Sequence, residues 1–350
     1  MNKYAAFEID KYPISISRFN YPEIVQYGNV LTADFSMFKG FDIVMGGSPC
    51  TFWSCAKGKD REVDKNGIGW LMFSRFVDAV RTVRPKWFLY ENVNSMPANI
   101  KAFITEELKV KPIMINSALV SAQQRKRLYW TNIPGIEQPG DKGILLKDII
   151  QSSLPMSEKS YCFTASYGGA EIRNSLERKQ RSMIFEPITL ADKSQSIIVP
   201  LGAAMRTRED SAGRFKRLEV RSDGKSNALT TGSSNSLICT PVKLGEIGRG
   251  GQGYGVYSVH GKTICLSANG GGIGSRTGLY KIDLPDGDYI VRKLTPIEAE
   301  RCQTISDGYT AVGIDTDGNP VKISNTQRYK SIGNGWTVDV IAHILSFIPA

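Results

Sequence analysis

The stretch Phe41-Asp-Ile-Val-Met-Gly-Gly-Ser-Pro-Cys50 decides the fold, because an apolar run ends there in two glycines and a cysteine. The run from Ile43 to Met45 is typical of a buried β-strand, and Gly46-Gly47 permits a tight turn after it. The strand would therefore deliver Cys50 to one end of a sheet. A cysteine there is a candidate nucleophile, although its thiol needs activation because an ordinary thiol is mostly protonated at neutral pH.

Short β-rich runs and helical patterns alternate on both sides of this stretch. The predicted strands are residues 3–9, 23–30, 41–45, 86–90, 112–119 and 127–133, and the predicted helices are 12–20, 70–84, 295–304 and 336–348. This alternation predicts an α/β fold with a doubly wound, Rossmann-like parallel sheet. Ligands of such sheets bind at the carboxyl ends of the strands, so the residues after each strand are the first candidates for a site.

The composition changes near residue 151 and predicts three regions. Residues 1–150 would form the catalytic domain, 151–290 a smaller region rich in strands and loops, and 291–350 a segment that returns to the catalytic domain. Four weak repeats lie in the middle region, each interpreted as a strand followed by a Gly-rich turn. They begin at Lys159, Lys193, Lys225 and Lys262.

Composition and charge exclude several classes of protein. The 350 residues include 44 Lys and Arg against 34 Asp and Glu, a formal net charge of +10. No apolar run approaches the roughly 18 residues that span a bilayer, and the first residues lack the pattern of a secretory signal. Six unevenly spaced cysteines predict neither a disulfide framework nor a metal site. We therefore expect a cytoplasmic monomer without a metal, and the basic excess favours a nucleic-acid partner.

Two further motifs fall at strand ends. Glu91-Asn-Val93 follows the predicted strand 86–90, and Gln123-Gln-Arg-Lys-Arg127 precedes the next. With Pro49-Cys50 before them, and the blocks 292–303 and 331–336 after them, they form an ordered series. This series resembles the DNA (cytosine-5)-methyltransferase family, in its phage and bacterial, restriction-modification type. The resemblance covers about residues 1–133 and 291–350.

The resemblance implies a reaction in which methyl passes from S-adenosylmethionine to carbon 5 of cytosine in double-stranded DNA. Cys50 would add to carbon 6 of the ring, and Glu91 would hold or protonate ring N3. Arg127, and with it Arg125, would bind the exocyclic oxygen O2. Because these groups cannot reach a stacked base, the cytosine must be flipped out of the duplex.

The resemblance also implies binding residues for the cofactor and for DNA. The cofactor residues would be Glu8, Ile9, Asn29, Val30, Gly47, Pro49, Asn334 and Trp336. Residues 51–69 are interpreted as a mobile loop that closes on the DNA phosphates. The DNA-binding residues would be Lys57, Lys59, Arg61 and Lys65 in that loop, and Arg206, Arg208, Arg214 and Arg217 in the middle region, which we expect to select the target sequence.

One departure from the family pattern has consequences. The family opens with a strand and a Phe-x-Gly-x-Gly turn before the position of Glu8, and only seven residues precede Glu8 here. That strand would lie between those leading to Glu8 and to Cys50. We expect the 350 residues alone to bind S-adenosylmethionine poorly, with the strand restored by an N-terminal segment or a separate peptide.

Two other functions remain open. One is an RNA cytosine-5 methyltransferase, because the string Cys162-Phe-Thr resembles a motif of the family's tRNA-modifying branch. The other is a truncated remnant that binds nucleic acid with little or no catalysis. Methyl incorporation into duplex DNA and into tRNA distinguishes the first from the DNA enzyme, and cofactor binding distinguishes both enzymes from the remnant.

Overall fold

The computed structural model describes residues 3–54, 60–151, 154–155, 157–170, 175, 178–187, 202–210, 213–221, 236–237, 243–246, 255–258, 279–284 and 287–349. The chain divides into two compact units. Unit 1 comprises Met1–Gln151, Ser157–Ser182 and Leu294–Ala350, and unit 2 comprises Ser152–Met156 and Met183–Lys293.

The described helices and strands follow in chain order. The helices are α1 Lys11–Asn20, α2 Ile68–Val83, α3 Ala98–Leu108, α4 Leu146–Ile149, α5 Pro296–Cys302, α6 Asn325–Asn334 and α7 Val338–Leu345. The strands of the first 150 residues are β1 Ala5–Ala6, β2 Val25–Gln26, β3 Ile43–Gly46, β4 Trp87–Val93, β5 Ile113–Asn116 and β6 Lys126–Thr131. The later strands are β7 Leu154–Pro155, β8 Met183–Pro187, β9 Gly202–Asp210, β10 Gly213–Arg221, β11 Ser236–Leu237, β12 Lys243–Glu246, β13 Gly255–Ser258, β14 Leu279–Leu284, β15 Gly287–Lys293, β16 Val312–Ile314 and β17 Pro320–Lys322.

The main sheet of unit 1 has four strands in the order β3-β4-β6-β5. β3 and β4 are parallel, whereas β6 is antiparallel to both of its neighbours. The α/β class is confirmed, but the prediction of an all-parallel sheet was wrong. The reason is the short connection over residues 117–125, because a parallel pair needs a crossover of a dozen or more residues.

Helices cover both faces of this sheet. Successive residues of β4 point to opposite faces, so Phe88 and Tyr90 pack with α2 and α3 while Leu89 packs with Val340 and Ile344 of α7. The predicted helices are confirmed with shifts of a few residues at their ends. α3 was not predicted, although Ile100, Ile104 and Leu108 recur at helical spacing and are all buried.

The predicted first two strands are much shorter than expected. β1 and β2 form a separate parallel pair through two residues each. Apolar contacts hold this pair beside the main sheet, because Phe7 makes edge-to-face contacts with Phe35 and Phe38, which pack against Ala79 and Val83 of α2.

The regular elements described in unit 2 are strands, as the prediction of a region rich in strands implies. They form a three-stranded sheet, β10-β9-β11, and a six-stranded sheet, β12-β13-β14-β15-β8-β7. The repeats that begin at Lys193, Lys225 and Lys262 lie outside the described residues. The repeat at Lys159 contains no strand, only an isolated bridge between Ser160 and Gln123.

The boundary predicted at residue 151 differs from the division in the structure, which assigns Ser157–Ser182 to unit 1. Backbone hydrogen bonds explain the difference, because Ser160 N–H donates to Ala122 O and Gln124 N–H donates to Ser160 O. The ammonium group of Lys159 also donates to the carbonyl oxygens of Ala118 and Ser121. These contacts attach the segment to the loop that precedes β6.

Candidate active site

Cys50 lies just beyond the carboxyl end of β3, as the sequence predicts. Pro49 precedes it, and a single 3-10 turn, Cys50–Phe52, begins at the cysteine. The residue is exposed, so an incoming group can reach the thiol. The turn continues into Trp53, which is completely buried and anchors the segment to the core.

Asn92 fixes the loop that carries Cys50. Its side-chain amide donates to the backbone oxygen of Ser48 at 3.1 Å and to the hydroxyl oxygens of Ser48 and Tyr90 at 3.2 and 3.3 Å. The two hydroxyls also form a hydrogen bond with each other at 2.5 Å. Asn92 is 1% exposed. An amide buried in this way holds the loop firmly, because each unmade hydrogen bond would leave a desolvated polar group.

Glu91 is a residue of β4, rather than following it as the sequence predicts. Its carboxylate forms an ion pair with Arg127, Nε to Oε1, at 3.0 Å, and accepts a hydrogen bond from the indole N–H of Trp336 at Oε2, 3.1 Å away. A Cβ atom on Gly47 would lie 2.9 Å from the Glu91 backbone oxygen and 3.2 Å from Oε2. Glycine at 47 therefore lets the Cys50 loop approach the carboxylate closely.

The antiparallel ladder between β4 and β6 explains why Glu91 and Arg127 meet. Val93 pairs with Arg127 in the register, and Glu91 pairs with Tyr129. The end of β4 and the start of β6 consequently lie side by side. The two motifs that the sequence places 36 residues apart thus become neighbours at one edge of the sheet.

Arg125 has a different environment from Arg127. It is 4% exposed, and its guanidinium donates to the carbonyl oxygens of Phe163, Gly333 and Gly335 at 3.0, 3.4 and 2.9 Å. Its N–H groups are thus directed at backbone carbonyls, and it joins the loop at 163 to the loop that leads to Trp336. This geometry suits a positioning residue.

The charges around Cys50 act on its thiol in opposite directions. Neighbouring groups withdraw the thiol partly from water although the residue is exposed, and this partial desolvation raises the pKa of Cys50 above its ordinary value. The guanidinium groups of Arg127 and Arg125 lower it, while the Glu91 carboxylate and Cys162 raise it. Burial alone would lower the pKa of Arg127, but Cys162, Glu91 and Cys50 outweigh this and raise it, so Arg127 stays charged.

Two residues that sequence reasoning did not assign to the site also contribute to it. The sulfur of Cys162 accepts from Arg125 at 3.4 Å and from Arg127 at 3.7 Å. Gln123, which is completely buried, accepts from the N–H of Phe163 at 2.7 Å and donates to Gln303 at 3.1 Å. The Gln-x-Arg-x-Arg pattern could have indicated Gln123, because this residue lies two positions before Arg125, just as Arg125 lies two positions before Arg127.

A cavity of about 350 Å³ opens beside this edge. Among the predicted cofactor residues, Val30, Gly47 and Pro49 line it, together with Phe7, which directly precedes Glu8. Glu8 turns one carboxylate oxygen, Oε1, toward the N–H groups of Ile9 and Asp10. The other oxygen accepts no hydrogen bond from a described residue.

The remaining predicted cofactor residues have varied surroundings. Ile9 is 73% exposed, and Asn334 is exposed at the end of α6. Asn29 uses its side-chain oxygen to cap the 3-10 turn Val30–Thr32, accepting from Leu31 N–H at 2.9 Å.

Among the predicted DNA-binding residues of the loop, Arg61 and Lys65 are described. Arg61 donates to the Ser95 oxygen at 3.3 Å, and the Lys65 ammonium lies over the rings of Trp70 and Phe103. Lys57 and Lys59 lie outside the described residues. The four arginines of the middle region all fall in one hairpin, with Arg206 and Arg208 in β9 and Arg214 and Arg217 in β10.

Comparison with known proteins defines the class. The family model "C-5 cytosine-specific DNA methylase" matches residues 1–349. The chain therefore belongs to the C-5 cytosine-specific DNA methylase family, whose members are enzymes that use S-adenosylmethionine to methylate cytosine.

Individual relatives fit this class. Type II methyltransferase M.HhaI from Haemophilus parahaemolyticus is 25% identical over 337 residues, covering 96% of this chain and 84% of the relative. Orphan methyltransferase M.SPRI from Bacillus phage SPR is 23% identical over 404 residues, covering 96% and 89%. A solved structure of mutant DNMT2 from Spodoptera frugiperda has a TM-score of 0.49 and 14% identity, covering 98% of this chain and 91% of its own.

The described residues include neither a membrane-spanning helix nor a cluster of metal ligands. No described helix combines the length and the apolar character that crossing a bilayer requires. The described His, Cys, Asp and Glu side chains include no group of three or more placed to hold a metal ion.

Proposed function

We propose that this chain methylates carbon 5 of a flipped cytosine in double-stranded DNA through a covalent bond from Cys50 to carbon 6. The observation that carries the proposal is the Glu91–Arg127 ion pair, 3.0 Å long, at the strand edge that also presents an exposed cysteine. A nucleophile, a proton donor or acceptor and a fixed cation together are what addition to a cytosine ring requires.

Each of the three side chains has a distinct task. The Cys50 thiolate adds to carbon 6, which makes carbon 5 nucleophilic. The Glu91 carboxyl group holds the proton at ring N3, so negative charge does not build up on the ring as the adduct forms. Arg127 stabilises the charge that develops at O2, and its pKa keeps it cationic throughout. Arg125 and Asn92 position these groups without contacting the ring.

The residues around the cavity fit S-adenosylmethionine. The apolar surfaces of Phe7 and Val30 suit an adenine ring, and the free oxygen of Glu8 suits the ribose hydroxyls. Ile9, Asn29, Pro49, Asn334 and Trp336 would complete the pocket, which Gly47 also lines. When bound, the cofactor would supply an electrophilic methyl group for carbon 5. Loss of the carbon 5 proton would then expel the Cys50 thiolate from carbon 6, which restores the aromatic ring and releases the product.

Unit 2 is proposed to select the target sequence. Two long antiparallel strands, β9 and β10, carry the four arginines, and Arg206 pairs with Arg217 in the register. A two-stranded ribbon of this kind fits the major groove of DNA. Lys57, Lys59, Arg61 and Lys65 would close on the phosphates, and the enzyme would act as a monomer in the cytoplasm of a bacterial cell.

Trapping on a modified base tests the proposal. Duplex DNA with 5-fluorocytosine at the target should form a covalent complex with the enzyme when S-adenosylmethionine is present, because fluorine blocks the final elimination. Cys50→Ala should abolish the complex, and Cys55→Ala is the matched control. An adduct that survives Cys50→Ala, or that maps to Cys55, contradicts the assignment.

An RNA substrate is the second candidate, favoured by the contact of Cys162 with both arginines. Methyl transfer to tRNA at a rate equal to or above that to duplex DNA would support it. Binding of nucleic acid without binding of S-adenosylmethionine would instead support a nucleic-acid-binding remnant.

A further inference from the structure

One indole N–H group meets the candidate acid of the site. Trp336 donates from Nε1 to Glu91 Oε2 at 3.1 Å. Trp130, by comparison, donates its indole N–H to a neutral group, the hydroxyl of Thr105, at 3.0 Å. A hydrogen bond to a carboxylate is about twice as strong as one between neutral groups. The contact at Glu91 is therefore a strong constraint on both side chains.

The contact fixes a torsion of Glu91 that Arg127 alone leaves free. Rotation of a carboxyl group about its terminal bond is broad, so one hydrogen bond to one oxygen does not set the plane of the group. Arg127 contacts Oε1 at 3.0 Å and Trp336 contacts Oε2, which sets that plane. A Cβ atom on Gly47 would lie 3.2 Å from Oε2, so Trp336 holds an oxygen that lies beside the Cys50 loop.

Both of these partners of Glu91 can only donate. Guanidinium and indole groups carry N–H donors and no acceptor, so neither Arg127 nor Trp336 can take a proton from the carboxyl group. Trp336 is also neutral, and it orients the carboxyl group without the preference for the ionised form that a second cation would impose. A proton on Glu91 is thus available to an incoming ring rather than to its two partners.

The residues on either side of Trp336 are fixed as well. The Arg125 guanidinium donates to Gly335 O at 2.9 Å, and the Thr337 hydroxyl donates to the side-chain oxygen of Gln303 at 2.7 Å. The side chains of these two contacts are buried, so their hydrogen bonds are shielded from water. A buried network of this kind holds the indole in place at the carboxylate.

We propose that Trp336 is a positioning residue of the methyl-transfer reaction: its indole N–H sets the plane in which the Glu91 carboxyl group meets ring N3. The inference rests on the proposed function and gives the block 331–336 a second task besides the implied one in cofactor binding. The Trp336 proton stays on the indole, while the Glu91 proton moves to N3 as Cys50 adds and returns when the thiolate leaves. Trp336 thus acts through Glu91 and needs no contact with the ring.

Loss of the indole N–H should slow the chemical step itself. Trp336→Phe keeps an aromatic ring and removes the donor, so the single-turnover rate at saturating S-adenosylmethionine and duplex DNA should fall about tenfold, as expected for one lost hydrogen bond to a charged group. Trp87→Phe, at the opposite end of β4, is the matched control and should leave the rate unchanged. A loss that disappears at saturating cofactor would assign Trp336 to the cofactor pocket alone and overturn the proposal.

A double-mutant cycle tests whether Trp336 acts through Glu91. In a Glu91→Ala background no carboxyl group remains to be oriented, so adding Trp336→Phe should cause no further loss of rate. A further loss as large as the one in the unsubstituted chain would mean that Trp336 acts on another group, which overturns the proposal.

NMR of the full chain tests the contact without cofactor or DNA. Isotope labelling of the tryptophan nitrogens gives five indole N–H signals, one for each tryptophan in the chain, and Trp336→Phe identifies the signal of Trp336. Glu91→Gln removes the carboxylate charge, so this signal should move upfield, while Glu107→Gln should leave it in place. Movement of one signal among the five decides the point even if Trp336→Phe does not fold, and five unchanged signals overturn the proposal.

Failure of this inference differs from failure of the proposed function. An unsubstituted chain that neither methylates nor traps duplex DNA contradicts the proposed function. An active chain whose rate does not respond to Trp336→Phe contradicts the positioning role alone.

Discussion

Glu91 is held from two directions, by the Arg127 guanidinium and by the Trp336 indole N–H. The first partner is charged and the second is neutral, and each contacts a different carboxylate oxygen. Both members of the ion pair act on the pKa of the Cys50 thiol: Arg127 lowers it and Glu91 raises it. Substitution of either Glu91 or Arg127 should therefore change the pKa of Cys50, and the direction of the change identifies which charge was removed.

The pH dependence of Cys50 alkylation should move in opposite directions in two variants. Arg127→Gln removes a cation that lowers the pKa of Cys50, so the rise in iodoacetamide reactivity should shift to higher pH. Glu91→Gln removes an anion that raises this pKa, so the rise should shift to lower pH. Mass spectrometry of Cys50 across a pH series measures both, with Arg81→Gln as the control. A shift of the same sign in both variants would contradict the arrangement.

Turnover should respond to Glu91 more than DNA affinity does. Glu91→Gln keeps the size of the side chain but removes the acid, so the rate should fall by about 10²-fold or more, as for other lost general acids. Single-turnover methylation and a DNA-binding titration measure the two effects separately. Glu107→Gln, in an exposed ion pair with Arg81, should change neither. A loss seen only in DNA affinity would exclude the proposed role.

At the scale of elements, α5 connects the chain's last segment to the site. Thr295 and Glu298 form a capping box at its start, with Oγ1 accepting at 3.2 Å and Oε2 accepting at 2.7 Å. At its end, Gln303 donates to Ile332 O and accepts from Thr337 at 2.7 Å. The helix thus positions the loop from which Trp336 reaches Glu91.

Removal of the Thr295 side-chain cap should lower the free energy of unfolding, because one hydrogen bond at the start of α5 is lost. Thr295→Ala should lower the free energy of unfolding by about 1 kcal/mol, the usual cost of losing an N-cap side chain. Thr295→Ser keeps the hydroxyl and should restore most of the loss. Urea unfolding of both variants measures the difference, and an equal loss in Thr295→Ser would indicate that the methyl group, not the cap, matters.

At the scale of the whole molecule, the candidate catalytic groups lie in unit 1, and the basic hairpin of β9 and β10 lies in unit 2. Each unit has its own sheets. The chain passes between the units four times, after Gln151, Met156, Ser182 and Lys293. This division favours an arrangement in which unit 1 carries out the reaction and unit 2 selects the target sequence.

Exchange of unit 2 should therefore change the target and keep the chemistry. Replacing residues 183–293 with the corresponding segment of a relative should switch the methylated sequence, while 5-fluorocytosine trapping at Cys50 persists. Bisulfite sequencing of methylated DNA identifies the target. An unchanged target would show that unit 1 carries the recognition.

The sequence by itself indicated the class of the fold and the candidate members of the site. Pro49-Cys50, Glu91 and Arg127 are candidates because each adjoins a short β-rich run, and the order of their motifs resembles the family. The ends of α2 and α5 follow from Pro85 and from the Thr295–Glu298 spacing.

Only the tertiary structure decided what each candidate side chain contacts. Arg125 and Arg127 are two residues apart and chemically identical, yet one bonds to backbone carbonyls and the other to Glu91. The direction of β6 and the attachment of Lys159 to unit 1 were equally beyond the sequence. Their physical cause is the same: hydrogen bonds between residues far apart in the chain form only where the packed core brings their backbones together, and no local pattern records that distance.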